Sequence, residues 1–313
     1  MNLSIKEASG KIRPGVIGGG VAALVAVISQ AAPHFVRFGA EQMVNFAFYP
    51  ERTSEPQQWK WLRVDREAFE VAASDGTILH GFFIPARSRK PVGTIVILHG
   101  HLSCADQMAW FAEQAVKAGF NAVVYDARAH GESGGNVCSF GIHEAGDAKQ
   151  IARHVGETHP GPVFLWGLSM GAAVGAQALA GETPFSGGVL FSPFSNLDAM
   201  ISATLAERGL WWVPGLSGDV RSRIQEVIGV PPTEVSPVAA AANIRVPVLV
   251  VHGKRDTTIP VAQGSAVFHA IPGSNKEFLQ LPDAGHDDMV AMEKPWGKST
   301  LRRVFTFFLG KLP

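Results

Sequence analysis

From about Phe69 onward, short apolar runs alternate with longer amphipathic stretches, the pattern of strands interleaved with helices. Residues 69–73 and 77–84 flank Ser74-Asp75-Gly76, a turn signal that predicts a hairpin. Thr94-Ile95-Val96-Ile97-Leu98 is apolar after its threonine and predicts a strand covered on both faces. A helix is predicted over 108–118, stopped by Gly119, because glycine readily takes the left-handed conformation that ends a helix. Further strands are predicted over 122–126, 162–166, 188–191, 246–251 and 277–281, with helices over 144–157, 172–179 and 301–309. Between residues 194 and 237 the alternation stops. Two helical stretches, 197–210 and 220–228, are joined there by Trp211-Trp212-Val213-Pro214-Gly215 and predict a helical cap. The fold class is therefore α/β: a mostly parallel, doubly wound sheet in two parts, 36–193 and 238–313, with a cap insertion over 194–237.

Residues 1–35 read differently. Lys6, Lys11 and Arg13 precede an uncharged run from Pro14 to Pro33, the layout of an export signal or a membrane anchor. Ser29-Gln30-Ala31 offers small residues for cleavage. Phe35, Val36 and Phe38 instead extend the apolar segment toward the roughly 17 to 25 residues that span a bilayer. An anchor would leave the following chain outside the cytoplasm. The alternative is a soluble amphipathic helix packed on the domain, with a cytoplasmic location. Val16-Ile17-Gly18-Gly19-Gly20-Val21-Ala22-Ala23, with Glu41 downstream, imitates a dinucleotide fingerprint. Pro14-Gly15 leaves too little strand before those glycines, so no cofactor is expected.

Composition narrows the partners. With Lys+Arg and Asp+Glu equal at 27 each, no net field draws nucleic acid, and no nucleic-acid partner is expected. A hydrophobic content of 46% in 313 residues is enough for a large core. Cys104 and Cys138 are too few for a disulfide framework or a four-cysteine zinc site. They follow loops placed side by side at one sheet edge, so two free thiols and a single Cys104–Cys138 disulfide are both open.

Gly167-Leu168-Ser169-Met170-Gly171 carries the chemistry. It joins a predicted strand to the small-residue helix that begins Ala172-Ala173-Val174-Gly175. A serine on such a strand-to-helix turn has its hydroxyl pushed clear of the sheet, and its neighbours must be small. A serine at its ordinary pKa needs a base and an orienting acid, both on loops after later strands and in the order Ser, acid, His. Asp256 follows the strand over 246–251, and His286 follows the strand over 277–281, after Gly285. Asp198 is the alternative acid, whereas Asp283, Asp287 and Asp288 lie too near His286 in sequence. Backbone N–H groups of Met170 and His101 are the expected oxyanion donors, with Leu102 in reserve for His101. The His99-x-His101 spacing lacks a third ligand, so no metal is expected. Leu102, Trp211 and Trp212 are the expected pocket residues, in a cap also rich in Leu210, Val213 and Leu216.

His99-Gly100, the segment Asp126-Ala127-Arg128-Ala129-His130-Gly131-Glu132-Ser133-Gly134, the Ser169 turn, His252-Gly253-Lys254-Arg255-Asp256 and Gly285-His286 together resemble the α/β-hydrolase superfamily over residues 69–313. The N-terminal segment, Asp75-Gly76 and Phe140-Gly141-Ile142-His143-Glu144 resemble bacterial membrane-associated serine hydrolases related to monoacylglycerol lipases and prolyl-oligopeptidase-like enzymes. The resemblance implies hydrolysis of a small ester without a cofactor, by a carboxylesterase or lipase-like enzyme. A thioesterase or peptidase with the same three residues, or a catalytically silent binding module, remains open. The serine at the turn excludes relatives with an aspartate nucleophile.

Overall fold

The computed structural model describes residues 32–61 and 65–310. The expected anchor or signal falls, up to residue 31, outside the described residues, as does the glycine-rich decoy. Helix α1 occupies 32–48, followed by the short helix α2 (Gln57–Trp61) and the strands β1 (Glu67–Ala72), β2 (Ile78–Ile84) and β3 (Thr94–Leu98). Then come α3 (Ala109–Lys117), β4 (Asn121–Tyr125), α4 (Glu144–Thr158), β5 (Val163–Leu168), α5 (Met170–Ala178) and β6 (Gly187–Phe191). Helices α6 (Leu197–Glu207), α7 (Leu216–Ile228) and α8 (Pro237–Ala241) separate β6 from β7 (Val248–Gly253). The chain closes with α9 (Val261–Ala270), β8 (Lys276–Leu281) and α10 (Gly297–Leu309). Among the described residues no helix is long and apolar enough to cross a membrane.

The eight strands form one sheet in the order β1-β2-β4-β3-β5-β6-β7-β8. Strands β1 and β2 pair antiparallel, and β2 meets β4 antiparallel; every other pairing is parallel. This is the mostly parallel sheet expected from the alternation of strand and helix. The predicted hairpin forms at Ser74-Asp75-Gly76, where Gly76 takes φ 84° and the Asp75 carboxylate accepts the Thr77 N–H at 3.0 Å.

Successive strand residues point to opposite faces, so each strand feeds two cores. Val96, Leu98, Leu165, Leu190 and Val250 pack on one face beneath α4, α5, α6, α7 and α1. Ile95, Ile97, Phe164, Trp166, Phe191 and Val251 pack on the other beneath α3 and α10. Burial on both faces explains why the parallel strands read as continuous apolar runs.

Helix α1, the short helices α2 and α8, and helix α9 fall outside the sequence expectations. Helix α9 lies between β7 and β8, where its low amphipathicity hid it. Helix α1 packs Ala40, Val44 and Phe48 into the core at four-residue spacing. Phe35, Val36 and Phe38, which extend the apolar N-terminal run in the sequence, lie in this helix.

Candidate active site

Ser169 sits between β5 and α5 at φ 53°, ψ −116°, a backbone conformation that costs a non-glycine residue energy and persists only where its surroundings enforce it. The enforcement is visible. The Ser169 N–H donates to the Phe191 carbonyl at 2.8 Å, and the Ala172 N–H to the Ser169 carbonyl at 2.9 Å. Both flanking glycines are required by space. A Cβ on Gly167 would stand 2.3 Å from the Gly171 carbonyl oxygen, and one on Gly171 would stand 2.3 Å from that of Leu98. The turn thereby drives the serine hydroxyl outward at the carboxyl end of the sheet.

The hydroxyl meets His286, whose Nε2 lies 2.9 Å from Ser169 Oγ, so the serine donates to the ring. The opposite Nδ1–H donates to Asp256 Oδ2 at 2.8 Å. Ser169, Asp256 and His286 follow β5, β7 and β8, and the parallel pairing of β5, β6, β7 and β8 brings the carboxyl ends of these strands to one edge of the sheet. The His286 loop is itself held: Asp288 accepts the Gly285 N–H at 2.7 Å, and the Ala284 carbonyl accepts the Arg255 N–H at 2.9 Å.

Asp256 is buried and held by several donors. Ser192 Oγ–H reaches its Oδ2 at 2.7 Å, the Ile259 N–H reaches Oδ1 at 2.8 Å, and His252 Nε2 stands 3.3 Å away. Burial pushes its pKa up, but hydrogen bonds from His252, His286 and Ile259 outweigh that and hold the carboxyl well below its usual range. Burial likewise pushes His286 down, yet the bond to Asp256 and its charge leave the imidazole above its ordinary value. Asp198, the alternative acid, is instead paired with Arg221 between α6 and α7. A serine hydroxyl bonded to an imidazole backed by an ionised carboxylate is an arrangement that can yield an alkoxide-like nucleophile.

The loop after β3 borders the serine, and a Cβ on Gly100 would lie 3.5 Å from Ser169 Cβ. Among the described residues no backbone acceptor takes the N–H of Met170 or of His101. Leu102 turns the loop at φ 58°. The histidines here serve as braces. His99 Nε2 accepts the Ala127 N–H at 3.0 Å while its Nδ1 bonds the Gly100 carbonyl, and burial keeps it neutral. His101 Nε2–H donates to the Ala47 carbonyl at 2.8 Å.

Sequence motifs outside the serine turn also act as braces. Asp126 accepts N–H groups of Ala105 and Glu132, and Arg128 forms a two-pronged pair with Asp147 plus a bond to Asp75. Glu144 accepts from the Ser139 and Gly141 N–H groups, which sets Phe140 beside the serine.

A cavity of about 450 Å³ opens over Ser169. Its wall is largely apolar, from Met43, Val44 and Phe48 of α1, Phe140 of the loop before α4, Phe194 after β6, Met200 and Ile201 of α6, and Val220 and Ile224 of α7. Trp211 and Trp212 do not line it, contrary to expectation, and both side chains are exposed. They occupy the turn joining α6 to α7, while the inward faces of those helices already fill the wall. Leu102 does not line it either, whereas His101 does. The contribution of α1 went unforeseen, although Ala40, Val44 and Phe48 carry a helical signal. The disulfide alternative is also overturned. Cys104 and Cys138 are both free and buried, with Cys138 Sγ donating to Met170 Sδ at 3.4 Å.

Residues 89–225 match the family model described as serine aminopeptidase, S33. The chain is 27% identical over 267 residues to the uncharacterized protein YqkD of Bacillus subtilis, covering 80% of this chain and 81% of that one. It is 25% identical over 256 residues to the uncharacterized protein YfhR of Escherichia coli K12, covering 78% and 80%. Among solved structures, the esterase Pf2001 of Pyrococcus furiosus superposes with a TM-score of 0.69 at 24% identity, over 84% of this chain and 98% of that one. The acylaminoacyl peptidase of Pyrococcus horikoshii superposes with a TM-score of 0.62 at 18% identity, over 83% of this chain and 44% of that one. These likenesses show the fold.

Proposed function

We propose that this chain is an α/β-hydrolase, a reading supported by the match of residues 89–225 to the serine aminopeptidase, S33 model, and that Ser169, His286 and Asp256 form a catalytic triad that hydrolyses carboxylic esters with an apolar acyl group. The observation that carries this reading is the unbroken hydrogen-bonded series Ser169–His286–Asp256 beneath an apolar cavity.

His286 Nε2 takes the Ser169 proton as Oγ attacks the ester carbonyl carbon. Asp256 holds the Nδ1–H tautomer and offsets the charge of the imidazolium. The negative oxygen of the tetrahedral intermediate is met by the N–H groups of Met170, at the start of α5, and His101. The intermediate collapses, the C–O bond to the alcohol breaks, and His286 returns the proton to the departing oxygen. Water, deprotonated by the same imidazole, then attacks the acyl-serine and releases the acid. The acyl chain occupies the cavity between α1, α6 and α7, where the wall offers dispersion contacts and few polar groups. No step needs a cofactor.

The test is hydrolysis of p-nitrophenyl esters from acetate to palmitate. Turnover that peaks at a medium or long chain supports the reading. Turnover of acylated amino acid amides, with every ester inert, would move the assignment to a peptidase.

A further inference from the structure

Helix α1 is apolar on two opposite faces. Ala40, Val44 and Phe48 face the core. At about 100° per residue, Phe35, Phe38, Gln42 and Phe46 fall within roughly 80° of one another on the far side. On that side Phe35, Phe38 and Phe46 are 74%, 60% and 58% exposed. The turn between α6 and α7 adds Trp211 at 72% and Trp212 at 65%. The five most exposed large apolar side chains among the described residues thus lie on these two segments, and gathered apolar surface marks a contact site.

The two segments meet at the cavity. Gln42 and Phe46, from the outward stripe of α1, line it together with Thr204, Glu207 and Arg208 at the end of α6. Trp211 and Trp212 follow Arg208 by three and four residues. Both aromatic segments thus adjoin, along the chain, residues that line the cavity over Ser169.

The sequence indicates what covers it. The uncharged run from Pro14 to Pro33 leads directly into α1 and matches the roughly 20 residues a spanning helix needs. It ends where the outward phenylalanines begin. Tryptophan and phenylalanine are residues suited to the bilayer interface, where an apolar ring can bury beside polar headgroups. We propose that the outward stripe of α1 and the Trp211-Trp212 turn form one rim that seats on a lipid bilayer, with the cavity opening toward the acyl chains. A lipid-like ester then reaches Ser169 without crossing water. That last statement rests on the ester-hydrolase reading; the seating on lipid does not.

The test uses the full chain with phosphatidylcholine vesicles, a fraction of whose lipids carry brominated acyl chains that quench tryptophan at the interface. The wild type should lose a substantial part of its emission. Trp211→Ser/Trp212→Ser, which changes two exposed side chains outside the cavity, should lose at least half of that quenching. In the same variant, hydrolysis of a long-chain ester carried in the vesicles should fall at least fivefold while hydrolysis of dissolved p-nitrophenyl acetate is unchanged. Equal quenching in wild type and variant overturns the proposal. So does a wild-type dimer in the absence of lipid that the substitutions split into monomers without any quenching, since a second copy would then cover the face. A chain that is quenched by lipid but turns over neither ester leaves the seating in place and removes the hydrolase reading. Phe35→Ser/Phe38→Ser repeats the test on α1, with the same vesicle-specific loss expected.

Discussion

The His101 Nε2–H donates to the Ala47 carbonyl oxygen at 2.8 Å, tying the loop after β3 to the last turn of α1. Carbonyls in a last helical turn lack helical donors, so the imidazole fills a vacant acceptor. Burial lowers the pKa of His101, which keeps the ring neutral and a single-proton donor. The same residue supplies one proposed oxyanion donor through its backbone. His101→Phe keeps a ring and loses the tether, so kcat on p-nitrophenyl acetate should fall about tenfold with KM nearly unchanged. His101→Gln should recover part of the loss. A folded His101→Phe enzyme with wild-type kcat would show that the tether does not position the donor.

His286 must be neutral to accept the serine proton, and Asp256 holds its pKa above the ordinary 6.5. The acid limb of kcat/KM should therefore lie above pH 6.5. In Asp256→Asn the limb should move down, and kcat should drop by about 10³- to 10⁴-fold because the correct tautomer is lost. The stability effects have opposite signs. The raised His286 stabilises the fold most below pH 6.5 and loses that contribution as pH rises through its folded pKa. The depressed Asp256 stabilises it above the ordinary carboxyl value of 3.8 and loses that contribution as pH falls below it. A pH–rate profile of wild type and Asp256→Asn, with melting temperatures over the same range, tests both statements.

Gly171→Ala places a Cβ 2.3 Å from the Leu98 carbonyl oxygen, at the junction of the serine turn with β3. Overpacking against backbone should lower stability by about 2–3 kcal/mol and displace Ser169. Gly156→Ala, in α4 with open space around the new methyl, should be neutral or stabilising by up to ~1 kcal/mol. Chemical denaturation of the two variants side by side measures the contrast. Equal midpoints would mean that the turn is not held by close packing.

Met43 projects from α1 into the wall of the cavity. Met43→Trp adds volume there without touching the serine, so long p-nitrophenyl esters should lose about tenfold or more in kcat/KM while the acetate changes less than twofold. Uniform loss across chain lengths would indicate that the acyl chain lies elsewhere.

Much of this fold was legible locally. The runs around Ile95, Val123, Leu165 and Val250 are covered on both faces, so their strands declare themselves without knowledge of partners. Ser169, Asp256 and His286 could be picked out because turn chemistry and strand ends constrain them, and the structure brings the three side chains into hydrogen-bond contact. The cavity was not legible in the same way. Its wall depends on which faces of α1, α6 and α7 turn inward, a long-range property, and aromatic content pointed to Trp211 and Trp212 when the turn that carries them faces outward. Cys104 and Cys138 lie near each other in the order of loops, yet Cys138 is engaged by Met170, a pairing no local pattern announces.

The central claim is that Ser169 is the nucleophile. A fluorophosphonate probe forms a stable covalent bond to an activated serine, and peptide mass mapping locates it. The account predicts one adduct per chain, on Ser169, formed rapidly at pH 8 and lost in Ser169→Ala and in His286→Ala. No adduct on the folded wild-type chain, or an adduct on another serine, would contradict it.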